Sequence, residues 1–382
     1  SHDELTGLRI VSYNLPNLLP DSSSGYLQTI FNNVVLGNTA NQWWTGGALK
    51  RESLGNLKTG SSNNQLQKLI GKWFRGDDLP QPSLQGDSAA GQGDADGIYR
   101  EATGTLFQDD VKFTDINQGA LGDCWLLAAA ASVASFQPDQ IKHLFHDNGD
   151  GTYGVRFYGL TSETSPQDEH WVTVNQDLIV SPSRPDRLLS AAGSPTKSLD
   201  AELWPPLLEK ALAQASETGV FQPQRPLAIN SYRALEDGEG EGLTILTGPP
   251  TQSLNNTSTD SDQVVRDRLV HLNDLAETNN LIGVLGSGVT LSDTFTAYPE
   301  GFDPKQAHQL DDNVIITLRA EHAFGLVDYN SDNQTVEIYN PWGSRGDYYL
   351  PSFTMSWDEL IQWFQLPTND TNMIDTTSLT LA

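Results

Sequence analysis

One cysteine in 382 residues removes whole classes of fold before any pattern is read. A disulfide framework needs paired cysteines and a cysteine-based zinc cluster needs several, so this chain must hold itself together mainly by burying apolar surface. Cys124 also stands at a junction. Before it runs the glycine-punctuated loop Gln118-Gly-Ala-Leu-Gly-Asp123, and after it comes the longest apolar run, Trp125 to Val133. The spacing predicts a helix over Cys124 to Phe136 entered from a tight loop. That run falls well short of the roughly 20 residues a membrane helix requires, and no transmembrane segment is expected.

Charge removes a further class. With 22 Lys plus Arg against 49 Asp plus Glu, the formal charge is −27. Phosphate backbones would repel such a chain, so nucleic acid is not an expected partner. The 37% of hydrophobic residues is enough to bury a core, and the length suits two compact domains or one large domain with a cleft. A monomer is expected. Few lysines with abundant Asp, Asn, Ser and Thr lean towards a secreted protein, with a cytoplasmic one as the alternative. The opening Ser1–His2 reads as a processing or cloning remnant and is set aside, and a signal peptide or upstream domain could precede it.

Residues 1–75 read as a small, partly helical N-terminal extension, a possible prosegment, with helix-like apolar spacing at Tyr26, Leu27, Ile30 and Phe31 and again at Leu66, Leu69, Ile70, Trp73 and Phe74. Residues 76–97 are rich in Gly, Pro, Asp, Ser and Gln and read as a flexible linker open to self-cleavage. Residues 98–248 read as a helix-rich subdomain. They carry the Cys124 helix, strand-like runs at Tyr153 to Tyr158 and Trp171 to Val180, and a helix over Leu207 to Gln214 started by Pro205 and Pro206. Residues 249–382 read as a β-rich subdomain. Strands are expected at Leu281 to Leu285, Val314 to Leu318, His322 to Tyr329 and Thr335 to Tyr339, with helices at Gln263 to Glu277 and after a capping box at Ser356 and Glu359. The fold class is therefore α+β, two subdomains with a seam near Gly248-Pro249-Pro250.

A thiol at a helix start feels unpaired amide hydrogens and the positive end of the helix dipole, which favour the thiolate and so a nucleophile. The alternative is a small buried hydrophobe. An attack on a carbonyl makes an oxyanion, for which the Cys124 amide and the Gln118 carboxamide could be donors. A base is then needed, together with a group that orients it. Among seven histidines, His322 opens a strand-like apolar run, and Asn340, eighteen residues on, heads Pro341-Trp342-Gly343 at the end of the next strand. An asparagine carbonyl there can accept one ring N–H and fix the tautomer. Taken singly, His322 would be a structural histidine and Asn340 a turn residue.

The stretch Gln118-Gly-Ala-Leu-Gly-Asp-Cys-Trp-Leu-Leu-Ala-Ala129, with His322-Ala323 and Asn340-Pro-Trp-Gly343, resembles the corresponding motifs of the calpains, calcium-dependent papain-like cysteine proteases. Similarity also appears in Gly104-Thr-Leu-Phe-Gln-Asp109, Trp171 to Val174, Glu202-Leu-Trp204, Leu207 to Ala211, Glu241-Gly242, Thr247-Gly248 and Met355-Ser356-Trp357, in colinear order from about Gly104 to Phe364. The resemblance implies a papain-like fold with the active-site cleft between its subdomains. It implies Cys124 as nucleophile, His322 as general base and acid, Asn340 as orienter, Gln118 as oxyanion donor and Trp342 as the indole shielding the His–Asn contact.

It also implies a calcium cofactor in the protease core, held by the carboxylates of Asp115 and Glu202 and the backbone carbonyls of Gln108 and Asp110, a hard-oxygen set of the kind calcium takes. A second family site is left unassigned, since only Asp347 remains of its acidic loops. At the substrate cleft Gly238 matches an expected glycine, whereas Glu321 replaces another. No EF-hand is present: Asp147-Asn-Gly-Asp-Gly151 lacks the spaced oxygens and closing Glu, and reads as a turn between helix and strand. The Asp3 to Gly7 fragment is only a partial copy of a calcium-binding nonapeptide.

The expected function is a calcium-dependent cysteine endopeptidase acting on proteins or peptides and able to process its own N-terminal part. The alternatives are an amine-accepting acyl transferase and a catalytically silent calcium-binding module.

Overall fold

A computed structural model describes residues 1–18, 21–84, 96–160, 168–221, 229–236, 238 and 241–248, and in the last third 252–255, 283–287, 291–296, 315–318, 322–330, 332–333, 335–343, 351–356 and 378–381. Backbone contacts group the chain into two units, each discontinuous in sequence. One comprises Ser1–Gln108, Gly119–Gly122 and Lys142–Glu236; the other comprises Asp109–Gln118, Asp123–Ile141 and Asp237–Ala382. The sequence reading divides the globular region once, at residue 248, whereas these units interleave. The Cys124 helix is grouped with the strands of the last third of the chain, not with those that directly follow it.

The first unit begins with helices His2–Asn14 and Asp21–Val35, followed by Asn63–Ile70, which runs into a π turn at Gly71–Arg75. Ser1 is the N-cap of the first helix and completes a capping box with Glu4. Two antiparallel three-stranded sheets follow. One orders Ile98–Glu101, Asp177–Ser181 and Arg184–Leu188; the other orders Phe145–Asp147, Thr152–Tyr158 and Glu169–Asn175. A region read as helix-rich is thus equally a region of sheet.

Three sequence expectations change here. The run Trp171 to Val180 is two strands with a corner at Gln176, because buried Lys210 draws in the carbonyls of Asn175 and Asp177 at 2.8 and 2.7 Å. The Asp147 to Gly151 stretch is a hairpin turn between two strands, since Phe145–Asp147 pairs with Thr152–Tyr158. The near end of the supposed linker is packed: Asp78, Pro80 and Pro82 are buried, and the Gln81 amide donates to the Asn230 carbonyl at 2.9 Å. Residues 85–95 lie outside the described residues.

The N-terminal part shares its core with residues 142–236. The Tyr26 hydroxyl meets Thr173 Oγ1 at 2.7 Å, Thr173 Oγ1 also bonds the Trp73 carbonyl, and helix Trp204–Ala215 is buried along its length. Beside this core sits a buried charge cluster. Lys72 Nζ lies 2.6 Å from Asp78 Oδ2 and also pairs with Glu217, while Asp78 Oδ1 accepts from the amides of Thr45 and Gly46 at 2.7 Å. Ions with every polar atom engaged can be buried, but removing one partner leaves an uncompensated charge.

The second unit has a six-stranded antiparallel sheet in the order Ser352–Ser356, Thr335–Tyr339, His322–Asn330, Gly283–Ser287, Ser378–Leu381, Gln252–Asn255. The strand His322–Asn330 is buried continuously over its first six residues, as expected of a strand covered on both faces. One covering element is the helix Cys124–Phe136, which spans the residues expected for it. At Gly325 the two backbones nearly touch, since a Cβ there would lie 2.6 Å from the Ala128 carbonyl oxygen. Cys124, Ala128, Ala131 and Ser135 fall on one helix face by their spacing, and Ser135 Oγ donates to the Val327 carbonyl. Helix and strand therefore run the same way, with their starts together.

The helix expected at Gln263 to Glu277 lies outside the described residues. So does Glu359 of the expected capping box, while Ser356 ends a strand. Among the described residues, no helix is long and apolar enough to cross a membrane. Among the described residues both helices and antiparallel sheets are present, consistent with the α+β class.

Candidate active site

Parallel starts bring the first residue of the helix to the first residues of the strand. The backbone N–H of Ala323 lies against the Cys124 sulfur, with those of Trp125 and Cys124 nearby, all favouring the thiolate. Cys124 is only half-buried as a residue, yet its sulfur is poorly hydrated, and burial pushes the thiol up to about 11, with Asp123 adding to the rise and the backbone donors opposing it. The helix N-terminus alone had suggested a thiolate. Desolvation outweighs the dipole, so the resting group is a neutral thiol.

His322 is buried, and its Nε2 lies 2.8 Å from Asn340 Oδ1. The orientation of that carboxamide is settled by a second contact: the same oxygen accepts the backbone N–H of Trp342 at 3.0 Å. A backbone amide can only donate, so the atom between them is oxygen, and His322 Nε2 carries a hydrogen. Nδ1 is then the ring nitrogen able to take up a proton. Asn340 is itself pinned, its amide donating to the Pro351 carbonyl at 2.8 Å.

Two rings hold the imidazole. Trp342 covers it at 4.3 Å between centroids, and Phe324 meets it edge-on at 4.8 Å. Trp342 thus lies where an indole would keep water from the His–Asn bond. Phe324 was missed in the sequence, although strand alternation places it two residues on, on the face shared with His322. Ala323 was noted only as a motif neighbour, yet its amide is a donor to the thiol.

Gln118 is buried six residues before the cysteine, with Nε2 3.4 Å from Asp123 Oδ1 and its backbone N–H donating to the Pro341 carbonyl at 2.7 Å. Asp123 occupies the N-cap position but makes no side-chain cap bond. Gln118, Cys124, His322, Asn340 and Trp342 all belong to the second unit. Gly238 is half-buried in the same unit, and Glu321 lies outside the described residues.

The expected calcium ligands divide between the units. In the first, Glu202 Oε1 accepts the Gln108 amide at 3.0 Å. In the second, Asp115 Oδ2 accepts the Lys112 amide at 2.7 Å and Asp110 Oδ1 accepts the Val111 amide at 3.1 Å. Among the described residues, no group of three or more His, Cys, Asp or Glu is disposed to hold a metal. The donor set is nonetheless chemically apt, being carboxylates and main-chain carbonyls, the hard oxygens calcium prefers.

Similarity to known proteins bears on this geometry. The chain is 35% identical over 152 residues to the calpain-1 catalytic subunit of Bos taurus, covering 38% of this chain and 17% of that one. It is 26% identical over 269 residues to calpain-A of Drosophila melanogaster, covering 66% and 26%. Calpain-12 of Mus musculus matches at 36% over 145 residues, 37% of this chain and 18% of the relative. The matches thus span about a sixth to a quarter of the relatives' lengths. The model of the calpain family of cysteine proteases matches residues 72–378, most of the chain and every residue of the cluster around Cys124, and the chain accordingly belongs to that family.

Proposed function

We propose that this chain is a calcium-responsive cysteine endopeptidase that hydrolyses peptide bonds in protein or peptide substrates, with the papain-like arrangement of its family. The observation that carries the reading is the Asn340 oxygen, fixed by the Trp342 amide and facing His322 Nε2 at 2.8 Å. It leaves Nδ1 to accept the proton of Cys124 as the sulfur adds to the scissile carbonyl. Gln118 Nε2 and the Cys124 amide serve as donors to the resulting oxyanion. His322 returns the proton to the leaving amine as the C–N bond breaks, leaving a thioester. Water, giving a proton to the same nitrogen, then attacks the thioester, and the thiol is restored with release of the acid.

Asp115, Glu202 and the carbonyls of Gln108 and Asp110 would hold calcium, which when bound supplies the positive charge that lets carboxylates from separate segments share one site. Gly238 and Glu321 are assigned to the substrate cleft. Self-cleavage in the N-terminal part, outside the packed residues 76–84, belongs to the same reading.

The test is cleavage of a fluorogenic peptide and labelling of Cys124 by a peptidyl epoxide. Cys124→Ser should fold, as judged by circular dichroism, and lose roughly 10⁴-fold or more of the activity. Peptidase activity surviving that change ends the assignment. Full activity in excess chelator after dialysis removes the calcium dependence alone. Absence of calcium-triggered shortening in the wild type removes self-processing.

A further inference from the structure

The loop that carries Gln118 is tied to the turn that carries Asn340 by a main-chain bond and by one side chain. Tyr339 closes the strand Thr335–Tyr339 and immediately precedes Asn340. Its hydroxyl donates to the Ile116 carbonyl at 2.5 Å, and both residues are buried. Two residues along each segment, the Gln118 amide donates to the Pro341 carbonyl at 2.7 Å. Residues 339 and 341 therefore grip residues 116 and 118 on either side of Asn340. At Gly343, with φ +63°, a Cβ would lie 2.2 Å from Asn117 Oδ1, so the two segments also meet at close range there. The ring of Tyr339 is held edge-on by Phe113 at 5.1 Å.

We infer that Tyr339 is a positioning residue, whose hydroxyl holds the Gln118 loop in register with the Asn340 turn so that the oxyanion donor and the imidazole act from one rigid frame. This rests on the peptidase reading and adds to it the side chain on which the alignment of Gln118 depends. Other parts of this bracket are main chain and would survive most substitutions. The hydroxyl is the one component that a single change removes without altering shape. An oxyanion donor misplaced by a fraction of an ångström loses much of its worth, because its alignment must precede the reaction.

The experiment compares the wild type, Tyr339→Phe and a chain with 4-aminophenylalanine at position 339, as full-length protein supplied with calcium. The phenylalanine variant should lower kcat by between about ten- and a hundred-fold with little change in KM. It should weaken binding of a peptide aldehyde, whose hemithioacetal oxygen occupies the oxyanion position, by a similar factor. Epoxide labelling of Cys124, which needs the thiol and imidazole more than Gln118, should change much less. The amino variant keeps a donor of similar reach and should recover most of kcat. A folded Tyr339→Phe with wild-type kcat overturns the inference. So does a kcat loss matched by an equal loss of epoxide labelling, or a Tyr339→Phe chain that does not fold, since either shows a structural bond and no more. A wild type that cleaves nothing sinks the peptidase reading itself, which separates the two failures.

Discussion

Two regions bury polar groups, and they do so to opposite effect. In the first unit, Lys72, Asp78 and Glu217 are charged side chains brought together from residues far apart in sequence and excluded from water. Opposite charge answers the cost of burial, and the pairing holds Lys72 in its charged form. In the second unit, Cys124 lies against the start of the strand that His322 opens and His322 meets Asn340, but Asn340 offers only a neutral carbonyl and, among the described residues, no opposite charge acts on the thiol. Burial then wins, and the thiol rises to about 11. Lys72, with two carboxylates against it, stays charged, whereas a thiol among neutral dipoles can be shifted by a modest change in its surroundings. The first arrangement suits a structural joint and the second a reacting centre.

The comparison is broken most severely at Lys72. Lys72→Met should leave Asp78 and Glu217 buried without a counter-ion and lower stability by about 3–5 kcal/mol in urea unfolding. A loss below about 1 kcal/mol would mean the cluster is no joint. Because this cluster and the Tyr26–Thr173 contact lie within one core, a chain lacking residues 1–84 should fail to give a cooperative transition, where Lys72→Met only lowers its midpoint.

At the reacting centre the corresponding change is Asn340→Ala. Here the expected loss is in rate: kcat and epoxide labelling should both fall by about a hundred-fold or more, because the imidazole loses the acceptor that sets its tautomer. Unfolding free energy should move by only about 1 kcal/mol. Labelling unchanged from the wild type would dissociate Asn340 from the imidazole.

A subtler contrast lies in pH. Glu217 is raised from 4.5 to about 7, chiefly by burial and against the pull of Lys72. The unfolded chain gives up this proton near 4.5 while the folded chain keeps it to about 7. Its contribution to stability is therefore complete below about 4.5 and is lost as pH rises through about 7. Glu217→Gln should flatten the fall in stability across that window, by about 3 kcal/mol. An unaltered slope would place the titration elsewhere. The smallest expected effect concerns the thiol. In chelator, alkylation of Cys124 by iodoacetamide should rise with pH towards about 11. Calcium should speed alkylation at neutral pH by about ten-fold if it draws the imidazole into partnership with the sulfur. Equal rates with and without calcium would uncouple the ion from the nucleophile.

Much of the second unit was legible because its signals are short-range. The apolar run after Cys124 predicts the helix that forms, and the strands at His322 and at Thr335–Tyr339 fall where expected. Pro205 and Pro206 likewise announce the helix at Trp204–Ala215. The near end of the linker misled, since Gly, Pro and Asp compose both flexible chain and a packed extended segment. The partners Lys72, Thr45, Gly46 and Asn230 reveal that Asp78 is buried and paired. The corner at Gln176 was hidden for the same reason, being made by Lys210 from a distant helix.

The sequence by itself determined which reactive groups exist, the local elements that carry them and the family to which they compare. Tertiary structure alone decided that the thiol is desolvated, that the Trp342 amide turns the Asn340 oxygen towards His322, and that Tyr339 binds the Gln118 loop. Helix and strand periodicity is written within a few residues of its effect. Hydration, carboxamide orientation and long-range hydrogen bonds depend on neighbours that only the folded chain brings together.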